Sequence, residues 1–251
     1  MGIDVHIDGH VAVIELQEPP HNFLTVELIE AVADTLEGFE DSADVRAAVL
    51  CAQGRSFCAG ANFGRRDDPV QGGTARLYAG AARLCAVATP VVAVVHGPAI
   101  GGGLGLAMTA TVRVTCPEAR FSANFAALGI HPGFGLSVTL PEQLGPSRAA
   151  QVLLSARRYT GEEALAMGLA DRCVPAECVR DEGLAMAAAI AVNAPLALRS
   201  IQRTLRAGLA DRVRAATVHE AEQQRLLSAT HDAREGVRAV AERRPASFTG
   251  T

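Results

Sequence analysis

Apolar and polar positions alternate over Val5–Ile7 and again over Val11–Leu16, on either side of Asp8-Gly9. Alternation flanking an Asp-Gly pair predicts a β-hairpin. Beyond it the period lengthens. Leu28, Ile29, Val32 and Leu36 recur at helical spacing behind Thr25, whose hydroxyl can cap the first turn. Val45–Cys51 and Val91–Val95 are apolar runs of strand length and read as buried strands, with Val112–Thr115 as another. A glycine-containing loop over 54–64 and a helix over 74–87 separate the first two. The run Gly101-Gly102-Gly103-Leu104-Gly105 leads into a short apolar helix. From Pro146 onward the pattern is nearly all helical. Thr160…Glu163 and Asp232…Glu235 both have capping-box spacing, the second with Asp in place of Ser or Thr. Strands alternating with helices predict an α/β core with crossover connections over residues 1–190, followed by a helical region over 191–251. No internal repeat, long linker or low-complexity stretch interrupts the two.

Composition narrows the classes. Of 251 residues, 49% are apolar and 20% charged, enough apolar material for a sizeable core and too much for a disordered chain. A net charge of −4 gives no footprint for nucleic acid, and 4% aromatics without tryptophan gives no base-stacking platform. All 23 basic residues are arginine, which excludes a lysine Schiff base or lysine general base. No apolar run is long enough to cross a bilayer. The opening residues have no basic stretch leading into an apolar one, and His6 stands where a myristoylation signal needs Ser or Thr. The six cysteines never form a Cys-x-x-Cys pair and read as reduced core thiols. The expectation is a cytoplasmic protein without metal or membrane partner.

Two glycine-containing loops each follow a strand: Phe57-Cys58-Ala59-Gly60-Ala61-Asn62 and His96-Gly97-Pro98-Ala99-Ile100-Gly101-Gly102-Gly103. A strand turning into a helix leaves backbone N–H groups unpaired at the positive end of the helix dipole. Small residues let a ligand approach them. Two such turns side by side would form a pair of donors aimed at one oxygen, an oxyanion hole. A phosphate cradle is the rival, but the second loop lacks the Lys-Ser/Thr of a P-loop and the Gly-x-Gly-x-x-Gly spacing. The third reading is glycines that only permit close helix–sheet packing.

Taken together, these loops resemble the enoyl-CoA hydratase/isomerase (crotonase) superfamily. The resemblance continues through Leu128-Gly-Ile-His-Pro-Gly-Phe-Gly135, Tyr159-Thr-Gly-Glu-Glu-Ala-Leu-Ala-Met-Gly-Leu-Ala170 and the segment from Glu235 to Gly250. It implies a spiral of ββα turns with a helical C-terminal trimerisation region, assembled as a homotrimer or dimer of trimers. The implied ligand is an acyl-CoA thioester, with no separate cofactor. Position by position, it places the oxyanion-hole amides at Ala61 and Gly102. Ala59, Gly60, Asn62 and Phe63 would line the CoA, with Phe23 beside it and Arg65 or Arg66 near its phosphates. Ile100, Gly101, Gly105, Phe125, Pro132 and Phe134 would also contact the substrate, with Phe125 and Phe134 narrowing the pocket.

The departures concern proton transfer. The two glutamates of the family's hydratases correspond to Gly105 and Phe125, and neither Gly nor Phe moves a proton. Pro117-Glu118 precedes Arg120-Phe121 and reads as a turn before a strand. Among alternative bases, His131 titrates in a suitable range and is set against a structural turn histidine. His96 reads as a hydrogen-bonded core histidine, Asp67 and Asp68 as a solvated lid, Glu142 as a surface charge and Cys58 as a packing residue. Tyr78 could reach an acyl group or simply pack on a helix face. Three functions stand open: an acyl-CoA enzyme acting through an enolate with an atypical acid/base set, a non-catalytic acyl-CoA binder or structural subunit, and an ordinary hydratase.

Overall fold

The computed structural model describes residues 2–62 and 70–251, with side chains for all of these except 70–72. The hairpin forms as expected: β1 (Ile3–Asp8) runs antiparallel to β2 (Val11–Leu16), Ile3 opposite Leu16. Helix α1 (Val26–Gly38) follows, its first turn capped by Thr25 Oγ1, which accepts from Leu28 N at 3.1 Å. Its predicted apolar stripe is buried. β3 (Ala47–Ala52) pairs parallel with β2, so every residue of β2 is buried. Helix α2 (Val70–Ala86) begins four residues before the predicted start. Glycine weakens a helix interior by only about 1 kcal/mol, and Gly72 and Gly73 lie within α2. Gly80 on α2 lets α1 approach: a methyl there would stand 2.4 Å from Ile29 Cγ2.

β4 (Val91–Val95), β5 (Ala99–Ile100), α3 (Gly102–Met108), β6 (Val112–Thr115) and β7 (Arg120–Ser122) come next. The turn at Pro117-Glu118 precedes β7, as read from the sequence. Then follow α4 (Leu136–Leu144), α5 (Pro146–Ser155), β8 (Tyr159–Thr160), α6 (Gly161–Met167) and β9 (Arg172–Cys173). Helices α7 (Val179–Ala191), α8 (Pro195–Leu205), α9 (Leu209–Ser228) and α10 (His231–Glu242) complete the chain. The larger sheet has the order β1-β2-β3-β4-β6-β9, parallel except at β1, and a smaller one pairs β5-β7-β8. Helix α7 covers β3, β4 and β6, while α9 packs on α2 and α4. No single helix among the described residues is long and apolar enough to cross a membrane.

Two local expectations are corrected. Thr160 and Glu163 do form a capping box, but Asp232 and Glu235 do not. Thr230 caps α10, accepting from Ala233 N at 3.1 Å. Asp232 instead accepts from Thr249 N and Gly250 N, and Glu235 holds Arg244 and Ser247 N. The C-terminal segment folds back on α10 and takes both carboxylates. Helix α4 starts at Leu136 rather than at Leu140-Pro141, and Pro141 lies inside it. Its N-terminal amides are satisfied by Glu220 from α9, a partner 80 residues away in sequence that no local pattern reveals.

Candidate functional site

The two glycine-containing loops lie side by side. Cys58 pairs parallel with Ala99; Cys58 N donates to Pro98 O at 3.1 Å and Ile100 N to Cys58 O at 3.0 Å. That bridge sets the two loops against each other. The approach continues past the bridge. A methyl on Gly60 would lie 2.5 Å from Ile100 O and 3.6 Å from Gly102 N, and one on Gly103 only 2.0 Å from Cys58 O. Gly60 (φ +76°) and Gly101 (φ +56°) both adopt the left-handed region, which suits glycine. Leu24 N donates to Gly60 O at 2.9 Å and Ala59 N to His21 O at 3.0 Å, so the 21–24 segment braces the first loop.

Gly102 is the first residue of α3, where the helix offers its N–H no acceptor. Among the described residues, neither its amide nor that of Ala61 makes a hydrogen bond. Ala61 is exposed and Gly102 half-buried.

Three large apolar side chains surround the first turn of α3. A methyl on Gly102 would meet Leu24 Cδ2 at 2.6 Å, one on Gly101 would meet Phe125 Cζ at 3.6 Å, and one on Gly105 would meet the Phe134 ring at 2.8 Å. All three neighbours are buried. Phe134 has φ +60°, unusual for a bulky residue, and a polar clamp holds it there. On α2, Tyr78 donates to Gln224 Oε1 at 2.8 Å, and Gln224 Nε2 donates to His131 O at 2.8 Å. On the other side, the fully buried Glu220 accepts from Gly135 N at 2.9 Å, Ser137 N at 3.2 Å and Ser137 Oγ at 2.5 Å. Burial first, and then the Glu220 charge, push the Tyr78 hydroxyl above the usual tyrosine range, so it stays a donor.

The remaining sequence candidates separate. Phe23 is half-buried with its ring edge-to-face on His21, centroids 5.6 Å apart. Asn62 and Ile100 are half-buried and flank the pair of amides in sequence. Phe63, Arg65, Arg66, Asp67 and Asp68 lie outside the described residues. His131 turns Nδ1 to Pro132 O at 2.7 Å and packs edge-to-face on His219 of α9, centroids 5.7 Å apart. Its contacts are thus with its own turn and α9, not with the two loops. His96 Nε2 pairs with Gly54 O at 3.1 Å, the expected hydrogen bond, but the side chain is half-buried and not in the core. Glu142, read as a surface charge, is ion-paired with Arg212. Cys58 is buried, its thiol pushed up to about 12 by desolvation, which fits a packing residue.

Leu24, Ser137, Glu220 and Gln224 escaped the sequence reading. No local signal marked them: on α9, Val213, Thr217, Glu220 and Gln224 follow one helical stripe, but only Val213 among them is apolar. Two cavities of about 530 and 510 Å³ lie away from the loops, one lined by Glu118, Glu162 and Cys173, the other by Ser137, Glu142 and Arg212. No cluster of three metal-ligating side chains occurs among the described residues.

The family model for enoyl-CoA hydratase/isomerase matches residues 6–251. A putative enoyl-CoA hydratase of Thermus thermophilus is 33% identical over 252 residues, covering 96% of this chain and 98% of that protein. A probable enoyl-CoA hydratase of Bacillus subtilis is 30% identical over 256 residues, covering 99% and 98%. The crystal structure of an enoyl-CoA hydratase/isomerase from Pseudoalteromonas atlantica superposes with a TM-score of 0.89 at 29% identity, covering 99% of this chain and all of that one. That of an enoyl-CoA hydratase from Mycobacterium avium subsp. paratuberculosis gives 0.86, also at 29% identity, covering 99% of both chains. The α/β arrangement is thus the crotonase fold. The chain belongs to the enoyl-CoA hydratase/isomerase family.

Proposed function

We propose that the protein is an enzyme acting on acyl-CoA thioesters, with the thioester carbonyl held between the amides of Ala61 and Gly102. The observation that supports this reading is the Cys58–Ala99 bridge together with the approach of Gly60 to Gly102 N, 3.6 Å from where a methyl on Gly60 would lie. Two donors preorganised toward one oxygen stabilise the negative charge that develops when a thioester becomes an enolate, each worth about 3 kcal/mol. The residues of loop 59–62, together with Phe23, would border the CoA, and arginine would meet its phosphates.

The positions that the resemblance assigns to the two hydratase acids are Gly105 and Phe125, both enclosed by apolar neighbours. That surrounding favours chemistry in which the enolate is stabilised without this pair of carboxylates. It also supports a second reading, a binder that retains the thioester without turning it over. We further propose association with copies of itself through the C-terminal helices, as the resemblance implies. The exposed Leu196, Leu205 and Val218 on α8 and α9 support this.

Steady-state turnover on a panel of saturated, unsaturated and branched acyl-CoA esters, beside calorimetric titration with the same esters, separates the readings. Ala61→Pro removes one N–H and is expected to lower kcat about 10²–10³-fold, with Ala61→Gly near the parent. Tight binding without turnover of any ester would establish the binder, and absence of binding would refute the thioester assignment. Crotonyl-CoA hydration at an ordinary rate would show that the proton carriers lie elsewhere in the chain.

A further inference from the structure

We infer that Gly105 and Phe134 form an interlocked pair that limits the length of the acyl group, an inference that rests on the thioester reading above. Gly105 lies three residues beyond Gly102 on α3, a rise of about 4.5 Å. A carbonyl held at the Gly102 amide would thus lie about one helical turn from the face that Phe134 covers. Phe134 is pressed on Gly105 so closely that a methyl there would meet its Cδ1 at 2.8 Å, its Cβ at 2.9 Å and its Cγ at 3.1 Å. No side chain fits at 105 while the ring is in place.

The ring has little freedom to leave. Its backbone sits at φ +60°, followed by Gly135 at φ +75°. A methyl on Gly135 would strike Val213 of α9 at 2.8 Å, and one on Gly133 would strike the Tyr78 hydroxyl at 2.0 Å. Glu220 takes up Gly135 N and the amide and hydroxyl of Ser137, and Gln224 takes up His131 O. The turn is thereby fastened to α2 and α9 on both sides of Phe134. Phe134 is thus a fixed wall rather than a swinging gate. Phe125, beside Gly101, and Leu24, beside Gly102, bound the other sides. The site takes a short acyl group and excludes a long straight one.

The test is isothermal titration of the full chain with CoA and with acetyl-, butyryl- and octanoyl-CoA, paired with thermal melts. The parent should bind butyryl-CoA at least about tenfold more tightly than octanoyl-CoA, the discrimination an apolar pocket gives by size. Phe134→Ala should abolish that preference and Phe134→Leu should reduce it. Independently, Gly105→Ala should lower the parent's melting temperature by about 5 °C and by clearly less in the Phe134→Ala background, where only the contact with Cβ of residue 134 remains. Equal affinity of the parent for short and long esters, an unchanged preference in Phe134→Ala, or additive melting shifts would each overturn the pair. Absence of binding by any ester would instead refute the thioester reading, and with it the chain-length role, while the melting shifts would still decide whether the two residues interlock.

Discussion

Glu220 illustrates how one side chain sets the geometry of a site it does not enter. Its carboxylate has no exposure to solvent and receives three hydrogen bonds from Gly135 and Ser137. Those donors are the orphan amides at the start of α4, so Glu220 serves as a cap supplied from another helix. Glu220→Ala leaves them buried without partners and is expected to cost about 3 kcal/mol in urea denaturation. Loss should also appear in acyl-CoA binding, because the same turn presents Phe134. Glu220→Gln, which keeps an acceptor oxygen, should lose less. An unchanged unfolding midpoint for Glu220→Ala would contradict this account. The role was invisible in the sequence because Glu220 and Ser137 are 83 residues apart, and the local pattern shows only a charged residue on a helix.

Among the elements, α3 and the 57–62 segment are the most tightly coupled. Gly103 has the carbonyl of Cys58 where its own methyl would be, at 2.0 Å. Backbone oxygen cannot rotate aside, so Gly103→Ala must separate the loop from the helix. The expected result is destabilisation of about 3 kcal/mol with acyl-CoA binding lost in the variant molecules that still fold, measured by denaturation and titration together. Gly105→Ala, facing a ring rather than a carbonyl, should be milder. The position of α3 and its glycine run were legible in the sequence, as were the hairpin, α1 with its Thr25 cap and the buried strands, since each depends on period and on neighbours a few residues away. The starts of α2 and α4 and the cap of α10 were not. In each case a distant segment supplies what the local residues lack: α1 against Gly80 on α2, Glu220 at α4, and the folded-back C-terminus holding Asp232 and Glu235.

At the scale of the molecule, the same rule divides what could be read early from what could not. The α/β class followed from alternating strands and helices, and the family from motifs spread along the chain. The packing of the helical C-terminal region over the core did not follow from any of them, because α9 reaches α4 and α2 through contacts 85 residues apart at Gly135–Glu220 and 146 apart at Tyr78–Gln224. This region also carries exposed apolar side chains, with Leu196 78% and Leu205 74% exposed. If copies of the chain associate through these helices, sedimentation velocity should give three times the 26.1 kDa of the chain, or six times. Leu205→Glu should shift the distribution toward the single chain. A monomer at micromolar concentration in the parent would exclude the assembly.

The contact between Gly105 and Phe134 also fixes a mutational itinerary. An acid introduced at 105 first finds the aromatic ring in its space, so that change alone arrives in a misfitting molecule. Replacement at 134 first leaves a void that the next change can fill. Lineages that explore new chemistry on this scaffold are therefore channelled through one order of events, and the reverse order is barred by volume alone.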